Sequence, residues 1–452
     1  MARAMRWRSC GSIWKRYGGF EYFLDIKNQT KTRAFNPFLR AKSDKLKNLI
    51  EDVQTQIEGY EDYYKLRKRA RRAADQVTFE RMIEALVCDL CLVAPMGAVH
   101  LPLSNKVLRK ASRYKSPVLG KTLPGLLDIM SAPEMDFLTL TKGRTQFRIV
   151  DQDMTVAPIG GVQTTLTPAT KLLSRIERFG ITQSDITWSD EQETIVLRKA
   201  KKLGQTQPEV QEYKDTDETH HLRAQMQAIN AYLAEADITC DHPTVNPQDR
   251  YIRRIFNNSS FEQGGRLYGG FWQRMTSEER AEHIRINQDA VVECDYGQMS
   301  LLLLYAEAGG QEDIPEGDLY DLSAYGVPVD CRAGIKKTVQ AIINSPTLPT
   351  RLPKGVRKHI PSKISLKDIL EAVQKKHPRI YPLMISNIGM QLFRKESDIL
   401  VDVLGVLREQ GVVALPIHDA VLVADEDKDT TLEVMRQVFI DKTGITPQVT
   451  LE

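Results

Sequence analysis

The stretch Val291–Tyr305, VVECDYGQMSLLLLY, constrains this chain more than any other. Val291 to Cys294 read as a buried strand, Asp295 stands at its end, and an apolar run of helical character follows. A strand end holds a carboxylate rigidly, and the next peptide carbonyl can face the same cation, an arrangement that suits metal-dependent phosphoryl transfer. An Asp after a strand equally suits a turn or a helix cap. Two later stretches bear on the choice.

The first is Arg332-Ala333-Gly334-Ile335-Lys336, followed by Lys337 and the apolar run Val339–Ile343. Positions i and i+4 of a helix share a face, so Arg332 and Lys336 would stand side by side as a triphosphate clamp or as a solvated basic face. The second is Gly411–Asp425, GVVALPIHDAVLVAD, in which two apolar runs flank His418-Asp419. This pattern predicts a β-hairpin with His-Asp at its tight turn.

In this order the three stretches resemble motifs A, B and C of family A DNA polymerases and their single-subunit RNA polymerase relatives. DYGQMSL is similar to that family's D-Y-S-Q-x-E-L, RAGIK to its R-x-x-x-K and HDAV to its H-D-E-x. Upstream, Gly265-Arg266-Leu267 resembles the T-G-R-L element whose arginine reaches the primer–template minor groove. The matches fall in roughly the last 190 residues.

The resemblance implies a palm and fingers that extend a nucleic-acid chain with two Mg²⁺ ions, for which Mn²⁺ can substitute. Asp295 and Asp419 would be metal ligands, assisted by the Tyr296 carbonyl. Arg332 and Lys336 would clamp the triphosphate, Lys336 protonating the leaving group, and His418 would orient the primer terminus or the turn. The nucleotide pocket would be shaped by Tyr296, Ser300, Gln340 and Asn344, and here the chain departs from the family. Ser300 replaces a glutamate, Ala420 an acid, Gln340 an aromatic, and Asn344-Ser345 a Tyr-Gly pair. Serine at a position that excludes a 2′-hydroxyl predicts poor discrimination against ribose. The product is then DNA, or RNA made by an RNA polymerase or primase. The alternative function is a DNA-binding replication initiator or regulator whose polymerase domain is degenerate. No D-x-E proofreading pattern stands out in the first 240 residues, so no exonuclease is expected.

Charge separates the N-terminal region from the rest. Residues 1–72 carry 18 Lys+Arg against 8 Asp+Glu, although the whole chain has a net charge of only +3. The richest cluster holds Lys65, Arg67, Lys68, Arg69, Arg71 and Arg72, and it reads as a phosphate-backbone contact, a solvated helix face or a partner surface. From Ala41 to Val93 the pattern is helical, with Leu46, Ile50, Val53, Ile57, Tyr60 and Tyr64 on one stripe. Cys88-Asp89-Leu90-Cys91 lies within it and reads as core rather than zinc site.

Further on, a helix over Leu119–Met130, interrupted at Pro124-Gly125, precedes strands Met135–Thr141 and Thr145–Val150 around Lys142-Gly143-Arg144. A helix followed by a basic hairpin resembles a winged-helix unit. Thr167-Pro168 should cap a helix that Gly180 stops, Asp217–Ala236 should be amphipathic, and Thr239–Gln248 reads as a linker. The expected chain is α+β and mainly helical: 1–94 a basic helical region, 95–240 an α/β accessory region, 241–452 the polymerase-like palm and fingers. Its partners would be primer–template, nucleoside triphosphates and replication proteins, with no membrane, in the cytoplasm of a bacterial or phage-infected cell, as suits a mobile element or phage.

Overall fold

The computed structural model describes residues 12–17, 20–25, 32–94, 97–149, 156–202, 204–205, 207–243 and 245–451. Val150 and the first residues of the expected basic region lie outside them. The fold is mixed α and β and divides into two compact units, 1–192 and 193–452. Among the described residues no helix is long and apolar enough to cross a membrane.

In the first unit the expected helical stretch forms two helices, Asp44–Tyr63 and Ala73–Val93. Ser43 caps the first by accepting from the Leu46 N–H. Leu46, Leu49, Ile50, Val53 and Ile57 form one core with Phe79, Met82, Ile83, Leu86 and Leu90 of the second. Tyr64 falls beyond the helix end and is exposed, so the stripe stops short of it. Cys88 is fully buried in this core, and Cys91 is partly buried against it.

Three expectations for this unit are corrected. Pro124 begins the helix Leu123–Met130 instead of interrupting it, because proline needs no N–H partner in a first turn. Thr167-Pro168 belongs to a strand, and Ala169 precedes the helix Thr170–Phe179, which Gly180 closes at φ 59°. The strands Leu138–Thr141 and Arg144–Ile149 form but do not pair with each other. The first pairs with Thr164–Pro168 and the second with Val156–Val162, so there is no wing between them. Gly143 makes the parting of the two strands sterically feasible: its N–H donates to Thr164 Oγ1 at 3.1 Å, and a Cβ there would overlap the backbone at Val162 and Thr164.

The second unit is built on a six-stranded sheet centred on Asp289–Gly297. This central strand pairs antiparallel with Ala420–Ala424 on one edge, and with Ile284–Ile286 and then Gln448–Leu451 on the other. Asp295 is therefore inside the strand, not at its end. The expected linker is also corrected: Ile238–Cys240 is a strand of this sheet, and Leu222, Met226, Ile229 and Leu233 of the helix Asp217–Glu235 enter its core. Arg250 ties the junction by donating to the carbonyls of Leu233, Ala236 and Ile238. Polar, proline-containing composition reads as a linker, yet here a buried guanidinium satisfies the backbone.

A long helix, Gly389–Glu409, lies against the strand Ser260–Tyr268. Gly265, at φ 83°, permits the approach, since a Cβ would come within 2.8 Å of Ser397 Oγ and 3.1 Å of the Phe256 ring. Trp272 is core and donates its indole N–H to the Pro416 carbonyl at 2.9 Å.

Candidate functional site

Strand register decides what faces what. Asp295 lies opposite Ala420, and the Tyr296 N–H donates to the Asp419 carbonyl at 3.4 Å, so Asp419 is the turn residue next to the cross-strand partner of Asp295. Successive side chains on a strand alternate faces. Cys294 and Tyr296 turn inward: the Tyr296 hydroxyl donates to the Met435 carbonyl at 2.6 Å and its ring packs against Phe439 of the helix Lys428–Thr443. Glu293 and Asp295 take the opposite face. The Tyr296 ring therefore cannot shape a nucleotide pocket on the Asp295 face, and the expectation for that side chain is corrected. Burial also drives its phenol far above the usual range.

The hairpin Leu415–Ile417, Ala420–Ala424 forms as read, with His418 and Asp419 at its turn. His418 adopts φ 55°, left-handed at the first central position only, as in II′-type turns. That conformation costs a non-glycine residue about 1 kcal/mol, and at this turn His418 is exposed and Asp419 half-buried. Crowding by the protein and the charge of Arg266 lower the His418 imidazole, while Asp419 opposes them.

Arg266 does reach this neighbourhood, but it is already engaged. Its guanidinium grips Glu396 through both carboxylate oxygens, at 2.6 and 2.9 Å, and lies 3.8 Å over the Phe393 ring. A minor-groove contact would have to draw it from Glu396, a residue that sequence reading missed. The signal was present: Glu396 shares the apolar face of the long helix with Leu392, Ile399, Leu400 and Val403. It is only 2% exposed, and burial pushes its carboxyl up to about 7 despite Arg266. On the same side of the sheet as Asp295, Arg280 donates to Glu293 at 2.6 Å.

Arg332 and Lys336 lie exposed, one turn apart, on the helix Arg332–Ile343. Arg332 is bound to Asp318 through two nitrogens and lies 5.6 Å over the Tyr320 ring. Gln340 donates to Ser300 Oγ at 3.1 Å and also hydrogen-bonds the Tyr320 phenol, which burial pushes up to about 12. The space expected beside Ser300 is thus crossed by an amide. Asn344 donates back to the Gln340 carbonyl at 2.9 Å and abuts Gly389, where any Cβ would overlap it.

Asp318 and Tyr320 are held by a scaffold around the buried His377. Gln298 Oε1 accepts from the Leu319 N–H, and Lys376 donates to the carbonyls of Asp318 and Asp321 at 2.7 and 2.6 Å. His377 lies between the Leu319 carbonyl and the Tyr305 hydroxyl, at 2.9 and 2.8 Å. Burial lowers its imidazole to about 4, so it is neutral near pH 7. A carbonyl only accepts, so Nε2 carries the proton and Nδ1 accepts from Tyr305.

The basic cluster of the first unit also divides. Arg71 places its guanidinium within 2.6 Å of both Glu61 oxygens and 3.4 Å over the Phe79 ring, and it joins the two helices rather than facing solvent. Lys65, Arg67, Lys68, Arg69 and Arg72 are exposed.

Among the described residues no group of three or more His, Cys, Asp or Glu is placed to hold a metal ion. Two partly exposed carboxylates, Asp295 and Asp419, do suit a hard cation that keeps its waters and takes its remaining oxygens from phosphate, as Mg²⁺ does.

No family model matches this chain, and no curated protein matches it. Among solved structures it is similar to the POL domain of Pol1 from M. smegmatis, solved in complex with DNA primer-template and dNTP. The similarity has a TM-score of 0.32 and 11% sequence identity, over 52% of this chain and 51% of that one. The chain thus spans about half the length of the solved chain it matches. At that level the functional reading rests on the residues themselves.

Proposed function

We propose that residues 193–452 form a polymerase-type palm and fingers that transfer nucleotides to the 3′ end of a nucleic-acid chain. What supports this reading is the register that pairs Asp295 with Ala420, the residue next to the turn carboxylate Asp419. The exposed Arg332/Lys336 pair supports it. In the reaction the primer 3′-oxygen bonds to the α-phosphorus, the bond to the β-phosphate oxygen breaks, and pyrophosphate leaves. Asp295 and Asp419 would hold two Mg²⁺ ions, which when bound supply charge neutralisation for the triphosphate and acidify the attacking hydroxyl. Arg332 would exchange Asp318 for phosphate, and Lys336 would hold a phosphate oxygen and pass a proton to the leaving pyrophosphate.

A second reading has an observation of its own. Arg332 and Arg266, the cations assigned to nucleotide and duplex, are each bound to a carboxylate, as in a degenerate domain kept for DNA binding. Primer extension on a primed template with Mg²⁺ separates the two: incorporation is expected, and binding without incorporation favours the second. The kcat/KM ratio for dNTP over NTP tests the ribose gate. A preference for dNTP of about 10⁴ or more would mean that the Gln340 bridge closes the space Ser300 leaves.

A further inference from the structure

The segment 331–367 contains nine Lys and Arg and no Asp or Glu, in a chain whose totals are 62 and 59. It comprises the helix Arg332–Ile343, a proline-rich loop and the short turn Arg357–His359. Lys336, Lys337, Arg351, Lys354, Lys358 and Lys363 are all exposed, and among the described residues none of the six forms an ion pair. Most other arginines of this unit are committed to carboxylates or carbonyls, as Arg223, Arg250, Arg254, Arg266 and Arg280 are.

The helix and the loop present their charge together. Gly334 lets the helix seat against His359 and Ile360, where a Cβ would come within 2.7 Å of the Ile360 side chain. Lys337 and Lys358 then both bear on His359, and their charge helps to lower its imidazole. Like charges gathered without counter-charges are unfavourable in the free protein and favourable to a polyanion.

Shape narrows the choice of polyanion. Between the end of the helix, at Ala341 and Ser345, and residues 347–354 lies an open recess of about 710 Å³. Leu348, Leu352, Pro349 and Pro353 line it, with Arg351 and Lys354 also in its wall. That volume is within the range of small-ligand sites and exceeds one nucleotide. An unpaired strand can insert a base into an apolar recess while its phosphates meet flanking cations, without the cost of unpairing that a duplex bears.

We infer that this face binds single-stranded nucleic acid, with phosphates along Lys337, Arg351, Lys354, Lys358 and Lys363 and a base in the recess. The inference extends the proposed function by giving the unpaired strand a surface apart from Asp295 and Asp419. No Phe, Tyr or Trp occurs in 331–367, so base stacking contributes little. Affinity should therefore be steeply salt-dependent and nearly indifferent to base identity.

The test is equilibrium binding of a fluorescent oligothymidylate of about 20 nucleotides to the full chain. It needs neither Mg²⁺ nor nucleotide, so its failure is distinct from failure of primer extension. Replacing Arg351, Lys354, Lys358 and Lys363 together by Gln should weaken binding at least tenfold near 0.1 M salt. The log–log salt slope should fall by about 0.7 for each phosphate that is no longer neutralised, up to about 3. The charge-preserving set Arg351→Lys, Lys354→Arg, Lys358→Arg and Lys363→Arg should retain most of the affinity, which separates charge from misfolding. An unchanged constant and slope in the Gln variant would overturn the inference. So would a duplex of the same length whose affinity falls in the Gln variant by as large a factor as the oligothymidylate's, or a polyglutamate probe whose binding, rather than the oligonucleotide's, is abolished in it.

Discussion

The Arg266–Glu396 pair makes a prediction that can be worked through with its sign. Burial raises the Glu396 carboxyl from an ordinary 4.5 to about 7 in the folded chain. One pKa unit is worth about 1.4 kcal/mol, so the whole shift corresponds to about 3 kcal/mol. A folded pKa above the unfolded one means that the folded state holds the extra proton. The stabilisation is complete below pH 4.5 and is lost as pH rises through 7. Between pH 5 and 8 this group alone should lower stability by about 2.5 kcal/mol. Gln has the shape of the protonated side chain and cannot titrate, so Glu396→Gln should remove that part of the pH dependence. Other groups titrate in the same window, and the informative quantity is the difference between parent and variant. For a unit of 193–452, about 2–4 °C per kcal/mol translates it into roughly 5–10 °C of melting temperature. Scanning calorimetry at pH 5 and pH 8 on both proteins measures it. Equal pH shifts in parent and variant, within about 0.5 kcal/mol, would show that Glu396 is ionised throughout and that Arg266 outweighs burial.

Asp295→Asn and Asp419→Asn should each abolish incorporation, a loss of several kcal/mol in transition-state stabilisation, while the melting temperature changes little; near-normal turnover in either would remove the metal assignment. Asp318→Asn should free Arg332 without releasing the loop, which Lys376 holds through backbone carbonyls. An exposed pair is worth at most about 1 kcal/mol, so KM for the nucleotide should fall roughly two- to fivefold, and an unchanged or higher KM would contradict the placeholder role. Arg71→Ala should destabilise the first unit by about 2 kcal/mol, because it leaves the buried Glu61 only the more distant Arg67, at 3.9 Å, whereas Arg69→Gln should stay within about 0.5 kcal/mol, both read by chemical denaturation. Neutralising Lys65, Arg67, Lys68, Arg69 and Arg72 should reduce the salt slope of duplex binding by about 0.9 per phosphate released, and an unchanged slope would assign them to solvent or a protein partner.

Local patterns in the sequence determined much of this protein. The stripe Leu46, Ile50, Val53, Ile57 specifies its helix, and the apolar runs around His418-Asp419 specify their hairpin, because each depends on neighbours a few residues away. Arg332 and Lys336 share a helix face for the same reason. Where the reading failed, the deciding partner was distant in sequence. Composition cannot say that Leu138–Thr141 prefers Thr164–Pro168 to the strand directly after it. Nor can it say that Tyr296 turns toward Met435 while Asp295 turns away, since alternation sets opposite faces but only packing chooses which is buried. Glu396 is a carboxylate on an apolar stripe, and the partner that explains it, Arg266, lies 130 residues earlier. Asp318 acquired meaning when Gln298, Lys376 and His377 fixed its loop beneath Arg332. Periodicity is a property of the local chain and can be read from it. Which carboxylate meets which guanidinium depends on a burial energy shared by the whole core, and only the assembled tertiary structure decides it.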